Sequence, residues 1–244
     1  MRIGAAIVLL AVAVAGGRLG GLFRQYEYEE EMYLSLDGSA TLHVNSSVPA
    51  LDALRGATFD PDPASRRDLV AIRDYFTTPV TRVARVSTSR RNNRRFIHVR
   101  LEVDDVRRLG TAGPLAWSSY EFSKDGDLVA YRQTVGASAG KTVDAVRWNG
   151  DEIVAFRLHL PSRIVYQTAG REQRGNILVW EQTLADRMRG VPLTLDVRME
   201  AQSILNRTLR LFASTMAAVA VTFGLVIWWM VRRAGGSGAP RPPR

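Results

Sequence analysis

The chain has 244 residues, 46% of them hydrophobic and 23% charged, with a formal net charge of +9 and no cysteine. The absence of cysteine excludes disulfides, thiolate metal sites, a cysteine nucleophile and a lipidated N-terminal cysteine, so a folded domain here is held by its core alone. Only Lys124 and Lys141 are lysines among the 33 basic residues, a bias more simply ascribed to GC-rich coding than to phosphate recognition.

Met1 to Ala15 carries one arginine, an apolar run from Ile3, and the small-residue pattern Ala13-Val14-Ala15. About 13 apolar residues match a signal core and fall short of the roughly 17–25 that span a bilayer. Residues 1–15 are therefore expected to be a signal peptide cleaved before Gly16, with an uncleaved N-terminal anchor as the alternative.

From residue 16 to 208 the dominant period is two. In YEYEEEMYLSL, Tyr26, Tyr28, Met32, Leu34 and Leu36 fall on one face, and Glu27, Glu29, Glu31 and Ser35 on the other, as a half-buried strand requires. Asp37-Gly38 turns this strand into SATLHVN, a hairpin signature. Pro49 opens a short helix that Gly56 closes, and Ser65 with Asp68 predicts a capping-box start to a second helix through Phe76. VTRVARVS and FIHVRLEV flank the basic turn SRRNNRR, and WSSYEFS and LVAYRQTV flank Lys124 to Asp127, giving two further hairpins. EIVAFRLHLP, RIVYQ, QRGNILVWEQ and VPLTLDVRME supply the remaining strands. The pattern predicts an α+β extracytoplasmic domain, a mostly antiparallel β-sheet with two or three short helices, and it shows no fixed-period repeat.

Leu211 to Val231 has no charged residue, and at 1.5 Å per residue it would be roughly 31 Å long, matching a hydrocarbon core of about 30 Å. Trp228 and Trp229 followed by Arg232 and Arg233 are the expected membrane-interface anchors. A C-terminal transmembrane helix over 209–231 follows, with a disordered, Gly- and Pro-rich tail over 232–244. Arg232, Arg233, Arg241 and Arg244 place that tail in the cytoplasm by the positive-inside rule, while Arg207 and Arg210 on the other flank leave the orientation resting mostly on the signal. The expected location is a bacterial cell membrane, single-pass, with the main domain outside. There the positive charge meets anionic lipids, wall polymers or another envelope protein, and no nucleic acid.

Chemistry is sparse. His43, His98 and His159 sit on the polar faces of three different strands without His-x-His or His-x-x-x-His spacing, so neither a metal nor a cofactor is expected. Glu29-Glu30-Glu31 lacks a calcium-loop pattern and reads as a solvated strand face. GASAGK at Gly136 to Lys141, followed by Thr142, is one residue short of a phosphate loop and reads as a flexible loop. Arg90, Arg91, Arg94 and Arg95 form a basic hairpin tip, a candidate for lipid or polymer phosphates or simply a soluble turn that blocks edge pairing. Trp117, Tyr120, Phe122, Tyr131 and Trp148 are expected in the core because most fall at alternating strand positions.

Phe156 to Met199 carries a strand ending at Pro161, a hairpin marked by Gly170, Gly175, Asn176 and Trp180, and a final strand before the C-terminal helix. This stretch, with the Asp-Gly hairpin LSLDGSATLHV near the N-terminus, resembles the LppM-like lipoprotein domain family. The resemblance implies a bacterial envelope protein with a β-rich domain outside a membrane anchor and a capacity for amphiphilic ligands, and it carries over no catalytic residue. This chain departs from it in lacking the lipobox cysteine.

The function expected is a non-enzymatic binding or interaction domain of the envelope, with lipid or another amphiphile as ligand. The alternatives are a membrane-tethered hydrolase, assembled by the fold from residues such as Glu29, Asp104, Glu121, His43, His98 and His159, and a sensor or assembly adaptor acting through the tail.

Overall fold

The computed structural model describes residues 25–62, 64–65, 68–140, 148–174 and 176–234. The predicted signal segment, Lys141 and Thr142 of the glycine-rich loop, Gly175 and the tail from 235 lie outside the described residues. The chain divides into two units, residues 1–201 and 202–244.

The first unit is β-rich, as its alternation predicts, but it builds two sheets instead of one. Strands β1 (Tyr26–Leu34), β2 (Ala40–Ser47), β3 (Thr81–Arg91), β4 (Arg94–Val103), β7 (Ile153–His159), β9 (Arg171–Gln173) and β10 (Ile177–Thr183) form a seven-stranded sheet ordered β3-β4-β2-β1-β7-β10-β9. Strands β5 (Ser118–Asp125), β6 (Leu128–Val135), β8 (Ser162–Gln167) and β11 (Leu193–Ser203) form a four-stranded sheet ordered β5-β6-β11-β8. The three predicted hairpins are β1–β2, β3–β4 and β5–β6, each antiparallel. The β3–β4 turn is made by Asn92 and Asn93, both at positive φ, a conformation asparagine tolerates better than most residues. Strand β1 pairs parallel with β7, which joins the two halves of the chain at the centre of the larger sheet.

Among the described residues, three short helices sit in the connections. In α1 (Val48–Arg55), the Ser47 hydroxyl accepts from the Ala50 amide, proline occupies the first turn and Gly56 closes the helix at φ 71°, a left-handed cap that favours glycine. In α2 (Leu69–Phe76), Asp68 is the cap residue itself, accepting from the Ala71 amide; Ser65 instead bonds Asp60, so the predicted capping box does not form. The third, α3 (Leu184–Met188), has no precedent in the sequence pattern, being a single turn capped by Thr183. Two 3-10 turns, Val106–Thr111 and Gly113–Leu115, precede β5.

The inner faces of both sheets supply one contiguous core, including Tyr28, Leu42, Leu101, Phe156 and Trp180 from the larger sheet and Tyr120, Tyr131, Val135, Leu195 and Val197 from the smaller. Of the aromatic residues expected in this core, Tyr120 and Tyr131 are buried, and Trp117, Phe122 and Trp148 are half-buried against it. Gly136 shows how tightly the end of β6 is held: its amide donates to the Trp117 carbonyl at 2.7 Å, and a Cβ there would lie 2.5 Å from that oxygen.

The second unit is dominated by α4 (Ile204–Ala234). Its stretch Leu211–Arg233 is long and apolar enough to cross a membrane. Arg232 lies over the Trp228 ring at 5.1 Å and Arg233 over Trp229 at 4.1 Å, so the four residues expected at a membrane interface form two adjacent cation–π pairs, each between residues one turn apart.

Two substitutions test this packing in the detergent-solubilised full chain. Gly136→Ala must displace backbone and is expected to cost about 1–3 kcal/mol; Asp68→Ala removes a helix cap and is expected to cost about 1 kcal/mol. Chemical denaturation reads both, and an unchanged midpoint for Gly136→Ala would show that the Trp117 contact is not rigid.

Candidate functional site: the polar face of the larger sheet

The interior is occupied by a polar network. Glu30 points inward from β1 and is 3% exposed, which corrects the reading of Glu29-Glu30-Glu31 as a uniformly solvated face. Its carboxylate forms a salt bridge with Arg55 of α1, whose side chain is 2% exposed. The Tyr28 hydroxyl donates to Glu30 Oε1 at 2.5 Å, Trp117 Nε1 donates to the same oxygen at 3.3 Å, and Gln133 Nε2 donates to Oε2 at 3.4 Å. Arg55 also donates to the Tyr28 hydroxyl and to the Pro114 carbonyl, the latter at 2.6 Å, with its guanidinium 3.7 Å from the Trp117 ring centroid. Burial, opposed by Arg55 and reinforced by the Glu30 charge, raises the Tyr28 phenol well above its ordinary pKa, so it remains a donor to the carboxylate. These groups tie β1, α1, the segment before β5, and β6 together.

Polar chemistry open to solvent lies on the outer face of the seven-stranded sheet, and a smaller hollow of about 170 Å³ opens on the four-stranded sheet beside Glu121, Arg132 and Asp196. Residues paired across neighbouring strands point to the same side, so register defines rows. One runs Arg85, Arg100, His43, Glu31, Arg157 across β3, β4, β2, β1 and β7. The next runs Ser87, His98, Asn45, Glu29, and a third contains Tyr33 and His159. All three histidines share this face, as do Glu29 and Glu31. Asp104 follows the end of β4, and Glu121 belongs to the other sheet. No group of three or more metal-ligating side chains is present among the described residues.

The face is organised by hydrogen bonds. Asn45 Nδ2 donates to Glu29 Oε2 at 3.3 Å, which leaves Asn45 Oδ1 to accept from His98 Nδ1 at 2.9 Å. That assigns the Nδ1–H tautomer, so His98 Nε2 is the acceptor for the Ser89 hydroxyl at 2.8 Å. Beside it, Glu31 Oε1 meets His159 Nε2 at 2.6 Å and accepts from the Tyr33 hydroxyl at 3.1 Å, while Tyr33 stacks on His159 with centroids 4.0 Å apart. Arg157 lies 3.0 Å from Glu29. A hollow of about 340 Å³ opens between His43, Asn45, Arg85, Ser87, His98 and Arg100. A second, of about 370 Å³, lies at the end of β1 beside Tyr33, Ser39 and His159.

The basic hairpin tip is already engaged. Arg90 donates to Asn93 at 2.7 Å, Arg91 to the Tyr26 carbonyl at 3.0 Å, Arg94 to Glu27 at 2.5 Å, and the buried Arg95 to the Ser65 carbonyl. Glu27, fully buried, receives Arg94. The sequence alternation gave no signal for Arg85, because it falls at an inward position until a β-bulge is known.

No family model matches the chain, and no curated protein matches it significantly. Among solved structures, the folded domain of Mycobacterium tuberculosis LppM is distantly similar, at 14% identity and a TM-score of 0.40 over 75% of this chain and 95% of that one.

Burial lowers the pKa of His43, with Arg100 and His159 adding to the effect and Glu31 opposing it; burial and then Arg91 lower that of His98. Between those depressed values and the unfolded value near 6.5 the unfolded chain binds more protons, so stability falls as pH drops below about 6.5. Thermal melts from pH 7.5 to 5 should show this decline, and His43→Gln/His98→Gln should flatten it. Parallel curves for parent and variant would contradict it.

Proposed function

We propose that this chain is a membrane-tethered, non-enzymatic recognition protein of a bacterial envelope, displaying its β-rich domain on the extracytoplasmic side and engaging lipid, wall glycan or another membrane protein through the polar face of the larger sheet. Distant kinship with the LppM-like proteins, read from turn residues, is part of this proposal. The observation that carries it is the division of the domain into a core of apolar side chains crossed by the Glu30 network and an outer face with open polar hollows. That division moves recognition from an apolar interior to a charged surface, so an amphiphile would be held by its polar head. Export and tethering are supported by the signal-like N-terminus and by the apolar stretch Leu211–Arg233.

Ser123→Cys introduces a single thiol at the exposed end of β5. A membrane-impermeant maleimide should label it in intact cells, with any outer membrane first made permeable. Labelling only after lysis would withdraw the envelope assignment.

A second reading, a hydrolase, is favoured by the Ser89–His98–Asn45 chain, in which a neutral imidazole accepts from a hydroxyl and is oriented by an amide. In acyl transfer, Ser89 Oγ would attack a carbonyl carbon as His98 took its proton and returned it to the leaving group, and water would release the acyl chain. A fluorophosphonate probe should leave the chain unlabelled if the domain only binds; labelling lost in both Ser89→Ala and His98→Gln would establish the hydrolase instead.

A further inference from the structure

Arginines facing solvent on these sheets mostly have carboxylates. Arg82 pairs with Glu102, Arg157 with Glu29, Arg132 with Asp196, Arg163 with Glu200 and Arg171 with Glu181. Arg198 lies over the Tyr166 ring without a carboxylate among the described residues, and Arg85 and Arg100 differ in a further way. Both are exposed, they stand opposite each other across β3 and β4, and neither has an ion pair among the described residues. Like charges directly opposite in a sheet are destabilising.

The backbone goes out of its way to create this juxtaposition. Val83 pairs with Leu101 and is buried, and strict alternation would turn Arg85 inward beside it. A bulge between Val83 and Arg85 leaves Ala84 unpaired and brings Arg85 opposite Arg100. Bulges re-aim side chains at sheet edges and sites, and β3 is an edge strand. The nearby carboxylates are occupied: Glu102 by Arg82, Glu29 by Asn45 and Arg157, and Glu31 by Tyr33 and His159. His43, next in the row, lines the same hollow with Ser87.

We propose that Arg85 and Arg100, with His43 and Ser87, form a phosphate-binding subsite on the outer face of the larger sheet. Two guanidinium forks supply charge and paired donors that match a doubly charged oxyanion better than a single carboxylate. The hydroxyl and imidazole add short-range contacts within the hollow of about 340 Å³. The phosphate belongs to a soluble phosphate ester or to a lipid headgroup. This names a ligand class for the proposed recognition face and rests on that reading for its biological setting, though not for its chemistry.

The test uses the full chain in nanodiscs of zwitterionic lipid, with ionic strength held constant by chloride. Inorganic phosphate, short-chain phosphatidic acid below its micelle concentration and short-chain phosphatidylcholine are titrated separately, following the amide signals of Arg85 and Arg100. Saturable shifts with inorganic phosphate are expected, roughly tenfold weaker in Arg85→Ala and in Arg100→Ala. Tighter binding of phosphatidic acid than of inorganic phosphate would assign the site to a lipid headgroup, and equal or weaker binding to a soluble ester. Without phosphate, both variants should melt no lower than the parent, since a like-charge contact is relieved. Absence of saturation by either anion, shifts that survive both substitutions, or response to phosphatidylcholine alone would overturn the proposal. Such failure would leave the maleimide result untouched, whereas an inverted topology would leave the phosphate titration untouched.

Discussion

The salt bridge between Glu30 and Arg55 is the constraint on which the rest of the domain depends. A carboxylate and a guanidinium taken almost wholly out of water carry a desolvation cost of several kcal/mol per ion, offset only when geometry and additional hydrogen bonds are favourable. Here Tyr28, Trp117 and Gln133 supply the remaining donors to Glu30, and the Trp117 ring lies beneath Arg55. Those partners come from both sheets and from the segment before β5, so the Glu30 carboxylate has its full set of donors only when the sheets are correctly joined, while Arg55 Nε stays buried without a hydrogen-bond partner among the described residues. Arg55 ends a helix held by Ser47 at one end and Gly56 at the other, which links the capping of eight residues to the assembly of the whole core.

A core closed by such a network has a consequence for function. The inward face of β1 is committed to structure, and its outward face carries Glu29 and Glu31 among histidines and arginines of neighbouring strands. Hydrogen bonding on that face runs in defined directions, from Asn45 to Glu29, from His98 to Asn45 and from Ser89 to His98. The bulge in β3 adds Arg85 to this surface. Charge and oriented donors are what such a surface presents.

Much of the strand layout was legible because it is local. Period-two alternation and the turns at Asp37-Gly38, Asn92-Asn93 and Gly126-Asp127 mark three hairpins whose pairing needs no distant information. The parallel pairing of β1 with β7 was not legible, since it joins segments separated by more than a hundred residues, and neither was the division into two sheets. Glu30 was hidden within a run of three glutamates, although its even position places it among Tyr28, Met32 and Leu34. Its partner Arg55 lies on a separate helix, and no local pattern connects the two. The basic turn looked like a free tip because the acceptors of Arg91, Arg94 and Arg95 at Tyr26, Glu27 and Ser65 are remote in sequence.

The most direct test of this account is a double-mutant cycle on the buried pair, using Glu30→Leu, Arg55→Met and the combined variant in the detergent-solubilised full chain. Each single change leaves one buried ion uncompensated and is predicted to cost about 3–5 kcal/mol, while the double variant should recover a large part of that loss, giving a coupling of at least about 2 kcal/mol. Additive costs, with no recovery in the double variant, would show that Glu30 and Arg55 act independently and that the two sheets are joined by the apolar core without them.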